Sequence, residues 1–243
     1  MEVVVLTVGD EVLAGDITNS NATWLAGRLT ESGAAVSRIL TVPDDRDLVA
    51  ETIREWAARF DAVIVTGGLG GTHDDVTAGA LADAFGRDLV VDEAVREDVI
   101  ETVAAYREAN PETVAAHDVE IDVDAWAALP EGSRALPNPE GLCPGCVIEN
   151  VYAFPGVPAE MKALFERVAA EFGGETVAKT LYTPRPEGAM LDALSGVRER
   201  FDVAVGSYPA AEGRNRIKLT GTDPDVLADA VEWLRGRIEV SEE

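Results

Sequence analysis

The chain of 243 residues carries 45 acidic against 20 basic residues, a formal charge of −25 and a sequence pI near 4.3, yet 47% of its residues are hydrophobic. That length can bury a sizeable core in one large or two modest domains, and clear periodic apolar runs exclude an acidic disordered segment. The charge disfavours nucleic acid and anionic membrane surfaces as partners. With no basic-then-apolar leader after Met1 and no apolar run of the ~20 residues a membrane span needs, a soluble cytoplasmic protein is expected.

Only Lys162, Lys179 and Lys218 are lysines, and the acidic residues are spread along the chain instead of forming one tail. An acid-rich, lysine-poor surface on an ordinary core fits a salt-rich cytoplasm, where screening removes self-repulsion.

In chain order, strands and helices alternate through the first half: Val3 to Val8, Ala22 to Leu29, Val36 to Val42, Leu48 to Phe60, Ala62 to Thr66 and Val76 to Phe85. Alternation of this kind predicts an α/β fold, a parallel sheet with helices on both faces, and right-handed crossovers that gather the loops after each strand on one edge. Asp10, Asp44 and Asp75 are therefore expected to meet. Residues 92 to 110 read as one long helix ended by Asn110-Pro111. An irregular excursion follows over 111 to 142, then paired strand segments around Glu149-Asn150. Met161, Leu164, Phe165, Val168 and Phe172 form an apolar helical stripe read as core. Gly173-Gly174 marks a boundary between domains of residues 1–172 and 175–243, the second a compact βαββα unit running from Val177 to Ile238.

The segment from Val63 to Thr77 carries the chemistry. A β-branched strand runs into Thr66, Gly67, Gly68, Gly70, Gly71 and Thr72, glycines that let a ligand approach the backbone, and a helix follows whose amides face the same space. Asp74 and Asp75 stand where a phosphate is expected, and a divalent cation resolves the repulsion. The same residues admit a structural reading, with Thr72 as N-cap and Asp75 closing a capping box. Asp10 and Glu11 follow the first strand and can contribute ligands or hold the loop. Asn19 and Asn21 can donate amide hydrogen bonds to phosphate or ribose, or cap the helix containing Trp24. Asp44 is open to the same two readings, ligand or cap ahead of Leu48. Pro155-Gly156 begins a helix whose amides can meet a second anionic group. Cys143-Pro-Gly-Cys146 could hold a metal or cycle as a dithiol, but lacks a second C-x-x-C, and reads as a pair of reduced, structural cysteines.

Thr-Gly-Gly-Leu-Gly-Gly-Thr-His-Asp-Asp-Val-Thr (66–77) resembles the signature of the molybdopterin-binding (molybdenum cofactor biosynthesis) domain, in the variety that opens the competence/damage-inducible protein A (CinA) proteins. Gly-Asp-Glu-Val-Leu-Ala-Gly (9–15) with Asn19-Ser20-Asn21, the segment from Leu136 to Gly145 and that from Phe154 to Lys162 match in the same order, so the resemblance covers residues 1 to about 170. Gly71 replaces a usual proline, and Cys143 and Cys146 stand where alanine and an aromatic residue are common. The resemblance implies a three-layer α/β domain followed by a small KH-like α+β domain. Here the second part lacks a Gly-x-x-Gly loop and basic backing, and so reads as a packing or oligomer module.

The resemblance gives weight to Asp75 as the essential aspartate of the glycine-rich motif and to Asp44 as the acid of the second strand's loop. It makes Asn138, Gly141 and Gly145 a third ligand-facing loop. It implies two activities in one pocket: metal-dependent hydrolysis of ADP-ribose to AMP and ribose 5-phosphate, and transfer of AMP from ATP to molybdopterin. Hydrolysis ranks first, pterin binding or adenylylation second, and a non-catalytic ligand-binding or assembly module third. Mg2+ is the expected cofactor, with Co2+ or Mn2+ as substitutes, K+ as a further cation and molybdopterin as a candidate ligand. A homo-oligomer, dimer or trimer, is implied. The family's longer members add an amidohydrolase domain with no counterpart in these 243 residues, so pyridine-nucleotide deamidation is not expected.

The charge generates one prediction. The Debye length is about 30 Å at about 0.01 M salt and about 3 Å near 1 M, so the melting temperature should rise steeply with potassium chloride between those limits. A melting curve indifferent to salt, at fixed protein and magnesium, counts against adaptation to a salty cytoplasm.

Overall fold

A computed structural model describes residues 1–71, 75–110, 112, 121–210 and 213–242. The chain divides into two compact units, Met1–Gly27 with Val36–Glu171, and Arg28–Ala35 with Phe172–Glu243.

The first unit is built on a six-stranded sheet made of β1 (Glu2–Val8), β2 (Ala35–Val42), β3 (Ala62–Thr66), β6 (Arg134–Leu136), β7 (Gly145–Ile148) and β8 (Val151–Phe154), in the order β2-β1-β3-β8-β7-β6. Every residue of β3 and all of β1 except Glu2 are buried, as their β-branched runs require of strands covered on both faces. On one face Val4, Leu6, Val63, Val65 and Val151 join Val49 and Ile53 of α3 (Arg46–Ala57), Leu81 of α4 (Thr77–Phe85) and Val95 and Val99 of α5 (Glu93–Ala109) in one core. The alternate residues Val5, Ile64 and Phe154 are buried too. There Phe154 meets Phe165 edge-on at 6.3 Å between ring centres, and Phe165 meets Trp24 at 5.5 Å. Phe165 belongs to α7 (Pro158–Val168), whose stripe Met161, Leu164, Phe165 and Val168 is core throughout.

The sheet is mixed, not parallel throughout. β1, β3 and β8 pair in parallel, whereas β7 is antiparallel to both β8 and β6. The reason is the two-residue turn Glu149-Asn150, too short for a crossover. Glu149 adopts φ 52°, and the Asn150 amide donates to the carbonyls of Ala57 and Phe60 at 3.0 and 2.9 Å. The stretch expected to be irregular holds regular elements among its described residues. β4 (Leu89–Val91) pairs antiparallel with β5 (Ala128–Pro130), and α6 (Val123–Trp126) precedes β5. Elements of three or four residues are too short to show a period in sequence.

The second unit places β9 (Val177–Thr183), α8 (Leu191–Arg200), β10 (Ala204–Tyr208), β11 (Asn215–Gly221) and α9 (Pro224–Arg235) in the expected βαββα order. Its sheet is antiparallel in the order β10-β11-β9, and Leu181, Val197, Ile217, Leu219, Leu227 and Leu234 form its core.

Part of the acidic excess serves local structure. Asp45, Asp92, Asp122 and Asp223 each accept backbone N–H groups at a helix start. No described helix is long and apolar enough to cross a membrane.

Candidate functional site

Gly67 and Gly68 end β3 at φ 94° and 58°, a region open to glycine. A Cβ at Gly67 would lie 2.2 Å from the Val8 carbonyl oxygen, so the chain can pass the end of β1 this closely only without a side chain. The Gly67 N–H donates to the Phe154 carbonyl at the end of β8 (3.1 Å). Buried Thr77 closes the loop from behind: its N–H donates to the Gly68 carbonyl and its hydroxyl to the Gly67 carbonyl, both at 2.7 Å.

α4 starts at Thr77, with Val76 as a cap that makes no side-chain hydrogen bond, so Asp75 stands before the helix and not within its first turn. Asp75 precedes the helix and lies against Gly70, where a Cβ would come 2.5 Å from its Oδ2. Thr72 and Asp74 lie outside the described residues.

The carboxyl ends of β1, β3 and β8 open on a cavity of about 820 Å³. Glu11, Asp44, Asp75 and Glu160 line it, without a lysine or arginine among the described lining residues. Val12, Ile17, Leu69, Trp126, Leu142 and Val157 supply apolar wall. Three buried side-chain polar atoms among the described residues make no hydrogen bond, and two of them, Asn21 Oδ1 and Thr66 Oγ1, belong to residues of this cavity. Unpaired buried polar atoms are costly in a folded protein unless something else meets them.

Of the residues expected from sequence, Glu11, Asn19, Asn21, Asp44, Thr66, Gly67, Gly68, Gly70, Asp75, Pro155 and Gly156 line the cavity. Asp10 does not, but its N–H donates to Asp44 Oδ2 at 2.9 Å, joining the loops after β1 and β2. The helix cap is the neighbouring Asp45, which accepts from Leu48 N at 3.1 Å. That assignment leaves half-buried Asp44 beside the glycine loop, 3.6 Å from where a Gly68 Cβ would stand. Asn19 does cap: its Oδ1 accepts from Ala22 N (3.1 Å), and its amide donates to Thr7 and Thr41 at 3.0 and 3.4 Å. The Asn21 amide donates to the Gly156 carbonyl at 2.7 Å while its Oδ1 makes no hydrogen bond, so the amide of Asn19 is engaged by the protein and the oxygen of Asn21 is not. Pro155 has no N–H, and α7 begins only at Pro158.

The third loop does not line the cavity at the expected residues Asn138, Gly141 and Gly145. Asn138 is buried, donates to the Cys143 carbonyl and to Glu160 Oε2, both at 2.7 Å, and accepts from Glu140 N; its bonds organise its own loop. Gly141 lies against Glu160, and Gly145 is in β7 against Ala153 and Leu164. The residues of this region that reach the cavity are Leu142, Cys143 and Glu160. Gly71 is not in the lining either; a side chain there would strike Trp126.

Sequence reasoning did not single out Glu160 or Trp126. In the first turn of a helix an acid reads as complement to the helix dipole, and Trp126 fell in the stretch read as irregular. Burial raises the Glu160 carboxyl pKa, while hydrogen bonds from Asn138 and the Cys143 backbone pull it back. Cys143 and Cys146 are free and buried. Burial pushes the Cys146 thiol up to about 12 and raises Cys143 as well, with the charges of Glu160 and Asp75 adding to the latter. Both shifts favour the protonated thiol, the less nucleophilic form.

The carboxyl ends of parallel strands, where this glycine-built cavity lies, are where open α/β sheets commonly bind their ligands. Residues 4–173 match the family described as "Probable molybdopterin binding domain", and residues 175–242 are similar to the middle domain of FAD synthase. The chain is 39% identical to an Archaeoglobus fulgidus protein over 233 residues, covering 95% of each. It is 41% identical to a CinA-like protein of Citrifermentans bemidjiense, covering 98% of this chain and 58% of that one. A crystal structure of a CinA protein of unknown function from Thermoplasma acidophilum matches with a TM-score of 0.59 and 31% identity, covering 70% of this chain and 97% of that one. The chain belongs to the molybdopterin-binding domain family and is of the CinA type.

Two predictions follow from the geometry. Asp45→Ala should cost about 1 kcal/mol of stability, the usual worth of an aspartate cap, and leave ligand affinity unchanged, whereas Asp44→Asn should weaken ligand binding with a smaller loss of stability; calorimetry and denaturant titration separate them. Glu160 binds its proton more tightly in the folded chain than in the unfolded one, so its contribution to stability declines as pH rises through and above the ordinary carboxylate range. Glu160→Gln, which still accepts from Asn138, should therefore gain stability relative to wild type as pH rises towards neutrality, and a difference flat in pH would refute the assignment.

Proposed function

We propose that residues 4–173 bind a phosphorylated nucleotide or pterin in the cavity and, with a divalent cation, hydrolyse the pyrophosphate of ADP-ribose to AMP and ribose 5-phosphate. The observation that carries this reading is the glycine loop flanked by Asp44 and Asp75 in a cavity whose described lining holds no basic side chain. A pyrophosphate would meet repulsion there unless a cation came with it. Among the described residues no three His, Cys, Asp or Glu side chains form a metal cluster, so two carboxylates would hold the cation together with substrate oxygens and water. That is how Mg2+ commonly binds. Bound there, Mg2+, or Mn2+ or Co2+ in its place, supplies charge neutralisation and a more acidic water. The protein's own contribution is position: Asp44 beside Gly68, Asp75 against Gly70, open backbone at Gly67 and Gly68, and the Thr66 hydroxyl, which has no partner among the described residues.

The family description favours a second reading, binding or adenylylation of molybdopterin in the same cavity. Incubation in molar potassium chloride with each metal and either ADP-ribose, or molybdopterin with ATP, followed by mass spectrometry of the products, separates the two; saturable binding without turnover identifies a non-catalytic module. Asp75→Asn keeps the size of the side chain and removes its charge, so turnover should fall by roughly 100-fold or more with little change in melting temperature. Full activity in that variant at saturating metal removes Asp75 from the mechanism.

A further inference from the structure

We infer that Trp126 is the wall against which the planar heterocycle of the ligand stacks, the residue that makes this cavity a site for a ring-bearing phosphate compound and not for phosphate alone. The inference rests on the proposed binding of a nucleotide or pterin and adds to it the ring-recognising group.

The cavity is larger than phosphate recognition needs. Its glycine loop, Asp44 and Asp75 make one polar region, while Val12, Ile17, Leu69, Leu142, Val157 and Trp126 give it apolar surface. Sites of this size commonly pair a few placed polar groups with such a surface. Trp126 is the one aromatic side chain among the described lining residues.

Its position is held from both sides. α6 is capped by Asp122, which accepts from Ala125 N at 3.1 Å, and the Trp126 N–H donates to the Asp122 carbonyl at 3.2 Å. Asp124 of the same turn pairs with Arg96 Nε of α5 at 2.7 Å, and the next residue, Ala127, is fully buried. A half-buried indole between a capped turn and a buried strand is presented to a ligand with little ordering cost.

Gly71 gives the indole its place. A Cβ on Gly71 would lie 2.5 Å from Trp126 Cδ1, 2.6 Å from Nε1 and 2.8 Å from Cγ. Those three distances place that Cβ over one face of the five-membered ring, so the glycine loop covers that part of the indole, and a ligand ring has the six-membered ring and the opposite face to meet. A ligand with phosphates at the glycines would carry its ring on the Trp126 side, where a fused heterocycle gains from an aromatic face. Adenine and a pterin both offer such a ring.

Titration calorimetry with Mg2+ tests this, using α,β-methylene ADP-ribose, neopterin monophosphate and inorganic pyrophosphate as probes. Trp126→Leu should weaken at least one ring-bearing probe about tenfold and leave pyrophosphate unchanged, while Trp126→Phe keeps an aromatic face and stays within about threefold of wild type. The ring-bearing probe that responds identifies the heterocycle. Should Trp126→Leu lose cooperative melting, Gly71→Ala provides the same comparison, because its methyl group displaces the indole while Trp126 remains. Unchanged affinity for both ring-bearing probes in a folded variant, or an equal loss for pyrophosphate, overturns the stacking role and leaves the phosphate site standing. A wild-type chain that binds none of the three probes overturns the proposed function and this inference together.

Discussion

The passage of Gly67 across the carbonyl of Val8 sets the carboxyl edge of the first unit. With the two backbones this close, the ends of β1, β3 and β8 are tied at one level: Gly67 donates to Phe154, and Thr77 reaches back to the carbonyls of Gly67 and Gly68. Any side chain at position 67 would push β3 away from β1 or force the loop outward. A second tie, from the Asp10 N–H to the Asp44 carboxylate, brings the loop after β2 to the same edge. The cavity is the space these constraints leave between them, and its chemistry follows from which residues stand next to the glycines.

Electrostatics gives that space a sign. Four carboxylates face it, and the described lining offers no basic partner. Asp44 and Asp45 show how adjacent acids divide their tasks: one caps a helix and the other turns to the cavity. Glu160 is pulled two ways, burial favouring its neutral form and its Asn138 and Cys143 hydrogen bonds favouring the charged one. Elsewhere acids are matched locally, as where Arg46 forks onto Asp83 at 2.6 and 2.9 Å. Exposed pairs of that kind contribute little to stability, so the fold rests on its apolar core and its loops on specific backbone contacts.

Trp126 and Gly71 connect the glycine loop to a turn more than fifty residues away. The loop residue is small so that the indole can stand beside it, and the indole is held by a capped turn and an ion pair to α5. The glycine loop and the aromatic part of the cavity wall thus come from different segments of the chain, coupled sterically at Gly71.

The amino-acid sequence by itself determined the alternation of strands and helices, the buried β1 and β3, the apolar stripe of α7 and the βαββα order of the second unit, because each of these is written in residue periodicity or β-branched runs. It also placed Asp44, Asp75 and the glycines at one edge, through the rule that crossovers in a parallel sheet put successive loops together. Tertiary structure alone decided the rest. The antiparallel return of β7 depends on a two-residue turn, and the pairing of β4 with β5 joins strands of three residues that carry no period. Whether Asn19, Asn21 and Asn138 face a ligand or the protein depends on which distant carbonyls and carboxylates come within hydrogen-bonding distance. The same is true of Glu160 and Trp126, whose places at the cavity are set by contacts across 22 and 55 residues of chain, Asn138 to Glu160 and Gly71 to Trp126, distances over which local sequence has no say.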